Sequence, residues 1–155
     1  MIESEAEEVA VLQAATRVLT GVALRSLDAL DGAVTLPQFR LLAVLAELGR
    51  SRSAQVAGVL GLDASTVTRL ADRMVAAGHV LRGRDARHRS VVTLELSSSG
   101  QELVARVAAG RERELRRLLD LLSPASRRSI TVALRDLVRA AGEGYGVSAG
   151  RALPI

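Results

Sequence analysis

Between residues 60 and 96 the hydrophobic period changes once, and this change restricts the fold more than any other feature of the chain. In LGLDASTVTRLADRMVAAG, residues 60–78, the apolar positions Val67, Leu70, Ala71 and Met74 recur at i, i+3, i+4 and i+7. That spacing is one face of a helix. The segments HVLRGR and SVVTLEL that follow are Val- and Leu-rich and partly alternating, the pattern of short strands. RGRDARHR, residues 82–89, lies at the tip between them and carries +3: four arginines minus Asp85, with His88 neutral.

The rest of the chain reads as helices with clear punctuation. From about Glu5 to Leu30, Val9, Leu12, Leu19, Ala23, Leu27 and Leu30 form an amphipathic stripe that Asp31-Gly32 ends. VTLPQF opens a second helix, with Thr35 as N-cap, Gln38 completing a capping box, and Val34 and Phe39 as a hydrophobic staple. Pro37 fits the first turn, where its missing N–H costs nothing. This helix closes at Gly49. A short third helix fits Ser53, as N-cap, to Leu60, and a fourth starts from Asp63 and ends at Gly78. A long helix is predicted from Gln101 to Leu122, supported by the i,i+4 pairs Glu102/Arg106 and Glu112/Arg116. Ser123-Pro124 then starts a last helix with Ile130, Leu134, Leu137 and Ala141 on one face. The glycine-rich tail, residues 142–155, is expected to be flexible.

Composition excludes several classes of function. The chain has 155 residues, enough for one domain with a real core, and only two aromatics, Phe39 and Tyr145. The core is therefore aliphatic. There is no cysteine, so thiol redox sensing and cysteine-ligated zinc are ruled out, and the two separated histidines cannot supply a dedicated zinc cluster. No nucleophile–base set for catalysis is present, and no metal site or cofactor is expected. No apolar run approaches the roughly 18 residues of a membrane span. The acidic start MIESEAEEVA is unlike a signal peptide, so a cytoplasmic location is expected. All 21 basic residues are arginine, which a GC-rich genome would also produce, so position is more informative than number. Residues 1–36 hold six acids and two arginines (−4), and residues 37–97 hold nine arginines and five acids (+4). A basic middle implies a polyanionic partner.

A short helix, a Gly-centred turn, a second helix and a hairpin with a basic tip are the parts of a winged helix-turn-helix. The face of the fourth helix opposite Val67 and Met74 carries Ser65, Thr66, Thr68, Arg69, Asp72 and Arg73. Hydroxyls near a helix N-terminus suit phosphate, and arginine forks onto guanine edges. Arg84, Arg87, His88 and Arg89 of the tip would reach the flanking backbone or minor groove. The candidate DNA-binding set is thus Ser65, Thr66, Thr68, Arg69, Arg73, Arg84, Arg87, His88 and Arg89. Without aromatics for base stacking, double-stranded DNA is the expected substrate rather than single strands.

At these residues the chain resembles the MarR (multiple antibiotic resistance regulator) family. TLPQFRLLAVLAELG resembles the family's second helix, SAQVAGVLGLDASTVTRLADRMVAAGHVLR its helix-turn-helix, and DARHRSVVTLELSSSG its wing. Counting back from Leu96, the family's Asp-Arg-Arg falls on His88-Arg89-Ser90, so only the middle arginine is kept. Asp85 and Arg87 are the substitutes if the tip is shifted. The usual Leu-Thr at the wing exit is Leu96-Ser97, and serine can still cap the next helix.

The resemblance implies a mainly α fold with a small β-wing. Within a single domain over 1–155, residues 34–100 would bind DNA, while 1–33 and 101–145 would supply dimerisation helices. It also implies a homodimer that represses from a near-palindromic operator and is released by a small-molecule effector. No residue marks an effector pocket; Arg17, Arg25, Arg40 and Arg50 are the arginines considered for an anion. The alternatives are a helical interaction protein that antagonises another regulator without operator-specific DNA binding, and a small-molecule-binding scaffold without DNA function.

Overall fold

Capping residues and glycine stops set the order of elements, and the computed structural model follows that order closely. It describes residues 2–142, 147–148 and 151–152. Helix α1 spans Ile2–Ser26, and the predicted continuation to Leu30 is a 3-10 turn, stopped by Asp31 in the left-handed region at φ 48°. Helix α2, Leu36–Leu48, opens as its sequence dictates. The Thr35 N–H donates to Gln38 Oε1 at 2.7 Å, and Val34 and Phe39 are both buried.

Helices α3 (Ser53–Leu60) and α4 (Ala64–Ala76) form the helix-turn-helix, joined through Gly61 at φ 64°. The sequence points to Ser53 as the N-cap of α3, but Arg52 holds that position. The cause is a strand too short to show any periodicity. β1 (Ser51–Arg52) pairs antiparallel with β3, Ser51 opposite Leu94 and Arg52 opposite Thr93, which keeps the chain extended up to Arg52. β2 (Val80–Arg84) and β3 (Val92–Leu96) pair from Val80↔Leu96 to Arg84↔Val92, completing a sheet of order β1-β3-β2.

Helix α5 runs Ser98–Asp120, so it starts before the predicted Gln101. Ser97 is its cap, accepting the Gly100 N–H at 3.1 Å, which draws Ser98, Ser99 and Gly100 into the helix. Ser123 caps α6 (Pro124–Ala141) in the same way, through the Ser126 N–H at 3.1 Å. Most of the tail expected to be flexible lies outside the described residues; within it β4 (Val147–Ser148) pairs with β5 (Arg151–Ala152).

The core is aliphatic, with Phe39 as its aromatic member among the described residues. Leu41, Leu42 and Leu45 of α2 meet Val56 of α3, Val67 and Met74 of α4, Val80 and Leu94 of the sheet, and Leu103 and Val107 of α5. Each fully buried side chain of this kind contributes about 1.5–3 kcal/mol. The core ends abruptly along the long helices. Buried residues on α5 stop at Gly110, and no residue of α6 is buried. On α1 the buried apolar residues are Val22 and Ala23, near its C-terminal end. Among the described residues no helix is long and apolar enough to cross a membrane.

Candidate nucleic-acid interface

Helix α4 is the most sharply two-sided of the described helices. Val67, Leu70, Ala71 and Met74 are buried against the core, as their spacing predicts, and Ser65, Thr68, Arg69, Asp72 and Arg73 are exposed on the other side. Thr66 is half-buried.

The N-terminus of α4 is already occupied by its own cap. Asp63 Oδ1 accepts the Thr66 N–H at 2.8 Å and the Ser65 hydroxyl at 2.5 Å, and Oδ2 accepts the Thr66 hydroxyl at 2.7 Å. These bonds, the Ser65 hydroxyl first, hold the Asp63 carboxyl far below the usual carboxylate range. Thr68 donates its hydroxyl to the Ala64 carbonyl at 2.8 Å. So Ser65, Thr66 and Thr68 all spend their hydroxyl protons within the helix, and a phosphate would need one of them to turn. Arginine is freer. Arg69 leans back to Thr66 Oγ1 at 3.1 Å, and Arg73 is exposed with no side-chain partner among the described residues. Asp72 on the same face is taken by Arg82 of β2 at 2.5 Å, which ties α4 to the hairpin and screens one negative charge there.

The tip of the hairpin is an ordered turn. Asp85 Oδ1 accepts the N–H groups of Arg87 (2.9 Å) and His88 (3.1 Å), while the Asp85 N–H donates to the Val91 carbonyl and the Val91 N–H to that of His88. Arg84 donates one N–H to the Arg89 carbonyl at 2.9 Å and is itself exposed. Arg87, His88 and Arg89 are exposed at the tip. Two further arginines lie beneath them: Arg52, which sequence reading missed, and Arg50, which it considered for an anion but not for the wing. Arg50 Nη2 donates to the Arg84 carbonyl (2.9 Å) and its Nε to Thr93 Oγ1 (3.3 Å), and Arg52 pairs with Asp85 at 2.9 Å. Their partners lie 33 to 43 residues away, so no local pattern could show them. Of the four arginines considered for an anion, Arg50 belongs to the wing, Arg25 faces Glu114 at 3.8 Å, and Arg17 and Arg40 are exposed.

A different arginine sits in a pocket. Arg111 Nε and Nη2 are buried without a hydrogen-bond partner among the described residues, and burial lowers the guanidinium's pKa. They border a cavity of about 160 Å³ between α2 and α5, lined by Phe39, Ala43, Glu47, Val104 and Val107 among others. No group of three or more His, Asp or Glu side chains that could hold a metal occurs among the described residues.

The MarR family profile matches residues 34–89, from the start of α2 to the wing tip. The crystal structure of RV1404 from Mycobacterium tuberculosis superposes with a TM-score of 0.80 at 30% identity, over 87% of this chain and 92% of that one. The chain belongs to the MarR family. A MarR family protein from Bacillus stearothermophilus gives a TM-score of 0.77 at 28% identity, over 90% of this chain and 96% of that one. The HTH-type transcriptional regulator YfiV of Bacillus subtilis is 28% identical over 143 residues, 90% of this chain and 87% of the relative. MarR proteins are winged-helix regulators of transcription, and α3, α4 and the β2–β3 hairpin form the winged helix of this chain.

Proposed function

We propose that the chain represses transcription as a homodimer on a near-palindromic operator, with α4 in the major groove and the wing on the flanking DNA. The observation that supports this most is the pairing of two surfaces. An arginine-bearing face (Arg69 and Arg73, with Arg87 and Arg89 at the wing) lies on the winged helix, and apolar faces without a partner among the described residues lie on α1 and α6. The first suits a polyanion read through guanine edges and phosphates, the second a copy of the same chain. A mobility shift with genomic fragments, with and without competitor DNA, tests it; sequencing the retained fragments gives the operator. Two protected half-sites centred about 34–36 Å apart are expected. Footprinting that finds a single asymmetric site would overturn the dimeric reading, and no selective retention would favour an antagonist that binds another regulator.

Release by a small anionic effector is supported by Arg111. Two buried guanidinium nitrogens without a partner among the described residues cost free energy that a carboxylate entering the cavity would return. Because the cavity lies between α2 of the DNA-binding region and α5, its filling would change how the two regions sit together. Calorimetric titration with a panel of small aromatic carboxylates, repeated on Arg111→Met, is the check. Unaltered binding in the variant would move the effector site elsewhere.

A further inference from the structure

The sequence departs from the MarR wing signature at the position of its acid, where His88 stands, and the structure shows an acid acting three residues earlier. Asp85 bonds in two directions. One carboxylate oxygen accepts the N–H groups of Arg87 and His88, folding the tip. The other accepts Arg52 Nε at 2.9 Å, from the strand that leads into the helix-turn-helix. Arg50 repeats the link one step further down, crossing Gly83 to reach the Arg84 carbonyl and Thr93. A Cβ on Gly83 would lie 2.9 Å from Arg50 Nη2 and 3.0 Å from Thr93 Oγ1, so the hairpin is shaped to let that guanidinium pass.

We propose that Arg50, Arg52 and Asp85 form a clasp that sets the wing before DNA arrives, and that these three are positioning residues rather than DNA contacts. An unclasped tip would have to be ordered at the moment of binding, at a cost to affinity; a preformed one presents Arg87 and Arg89 at no such cost. The inference rests on the wing's role in DNA binding proposed above.

The sign of the Asp85 effect makes the test decisive. Removing an acid beside DNA strengthens binding if only charge matters, because the local potential becomes more positive. Removing a positioning acid weakens it. The probe is a duplex selected by the wild-type protein, with a scrambled duplex of equal length, titrated against salt using the full-length chain. Asp85→Ala is expected to lower affinity about tenfold with an unchanged salt slope, since the arginines still neutralise the same phosphates. Asp85→Asn, which keeps an acceptor for the tip amides and removes the ion pair, should fall between. Arg52→Gln should weaken binding without changing the slope, and should add nothing to Asp85→Ala. Hydrogen exchange at the amides of Arg87, His88 and Val91 should quicken in Asp85→Ala while the thermal midpoint stays within a few degrees. Asp85→Ala binding as tightly as wild type, or tighter, would overturn the clasp. So would an Arg52→Gln slope lower by about one, the mark of a phosphate that Arg52 itself had neutralised. An Arg87→Ala/Arg89→Ala variant run alongside separates the two layers. If it weakens binding while Asp85→Ala does not, only the clasp fails; if it is neutral, the wing has no DNA role and both fail.

Discussion

Arginines on helix and wing would do different work, and single substitutions can tell them apart. Arg69 leaves α4 within two turns of its N-terminus, where a guanidinium can fork onto a guanine. Arg69→Ala is expected to cost about 1–3 kcal/mol of binding and to relax preference at one operator position. Arg87→Ala and Arg89→Ala should weaken cognate and scrambled duplexes alike, each lowering the log–log salt slope by about one for every phosphate left without its arginine. Salt titrations on both duplexes distinguish these patterns. Asp63 offers a test at the same scale that needs no DNA. Hydrogen bonds depress its carboxyl pKa in the folded state, so the charge stabilises the fold above the unfolded value of about 3.9. That contribution declines as the pH drops below it and is lost as the pH falls through the folded value. Asp63→Asn should therefore melt below wild type at pH 7, with the gap narrowing toward pH 2. A gap independent of pH would mean that the ionised cap contributes nothing.

Elements were legible in the sequence wherever the signal was local. Thr35, Asp63, Ser123 and the glycines after α2, α3 and α4 lie within a turn of the backbone they cap, so three or four letters reveal them. The amphipathic spacing of α4 placed its four buried residues correctly for the same reason. Illegible parts depend on distant partners. β1 is two residues long and exists because β3 lies beside it. Ser97 caps α5 as the sequence suggested, but its hydroxyl also donates to the Gly78 carbonyl at 2.6 Å and its N–H bonds the His79 carbonyl, and this seating of α5 on the turn that ends α4 had no local signal. This seat explains the glycine of SSSG. A Cβ on Gly100 would overlap the His79 carbonyl oxygen, and backbone cannot yield as a side-chain end can. Gly100→Ala should cost about 1–3 kcal/mol or more, measured by urea unfolding. It should also impair DNA binding, since α5 must move relative to α4. Wild-type stability in that variant would show the junction to be soft.

At the scale of the molecule, one chain leaves its long helices half-packed. Val9, Leu12 and Leu19 of α1 are 43–50% exposed, and Ile130, Leu134 and Leu137 of α6 are 39–47% exposed. The sequence showed these stripes as clearly as that of α4. Their length also implies that neither finds a large enough partner within one chain, and their exposure among the described residues agrees; what the sequence could not show is where the core ends along α5. Isolated exposed apolar residues are ordinary, but two long helices with apolar faces and little core beneath them are not. A symmetric interface between two copies would bury both faces at once, and obligate homodimers commonly bury about 2,000–5,000 Å². Sedimentation at micromolar concentration is accordingly expected to give a dimer. Leu134→Asp/Leu137→Asp should shift it toward monomer, because two carboxylates would then need desolvating at the interface. DNA binding should fall with it. A dimer holds its second wing and helix near the second half-site at a high effective concentration, so breaking the linkage costs about 10²–10⁴ in affinity without touching α4. The monomeric variant should keep the wild type's weak, salt-sensitive binding to scrambled DNA per subunit and lose its preference for the operator. A wild-type chain that sediments as a stable folded monomer would overturn this picture, and so would a monomeric variant that binds the operator with undiminished affinity.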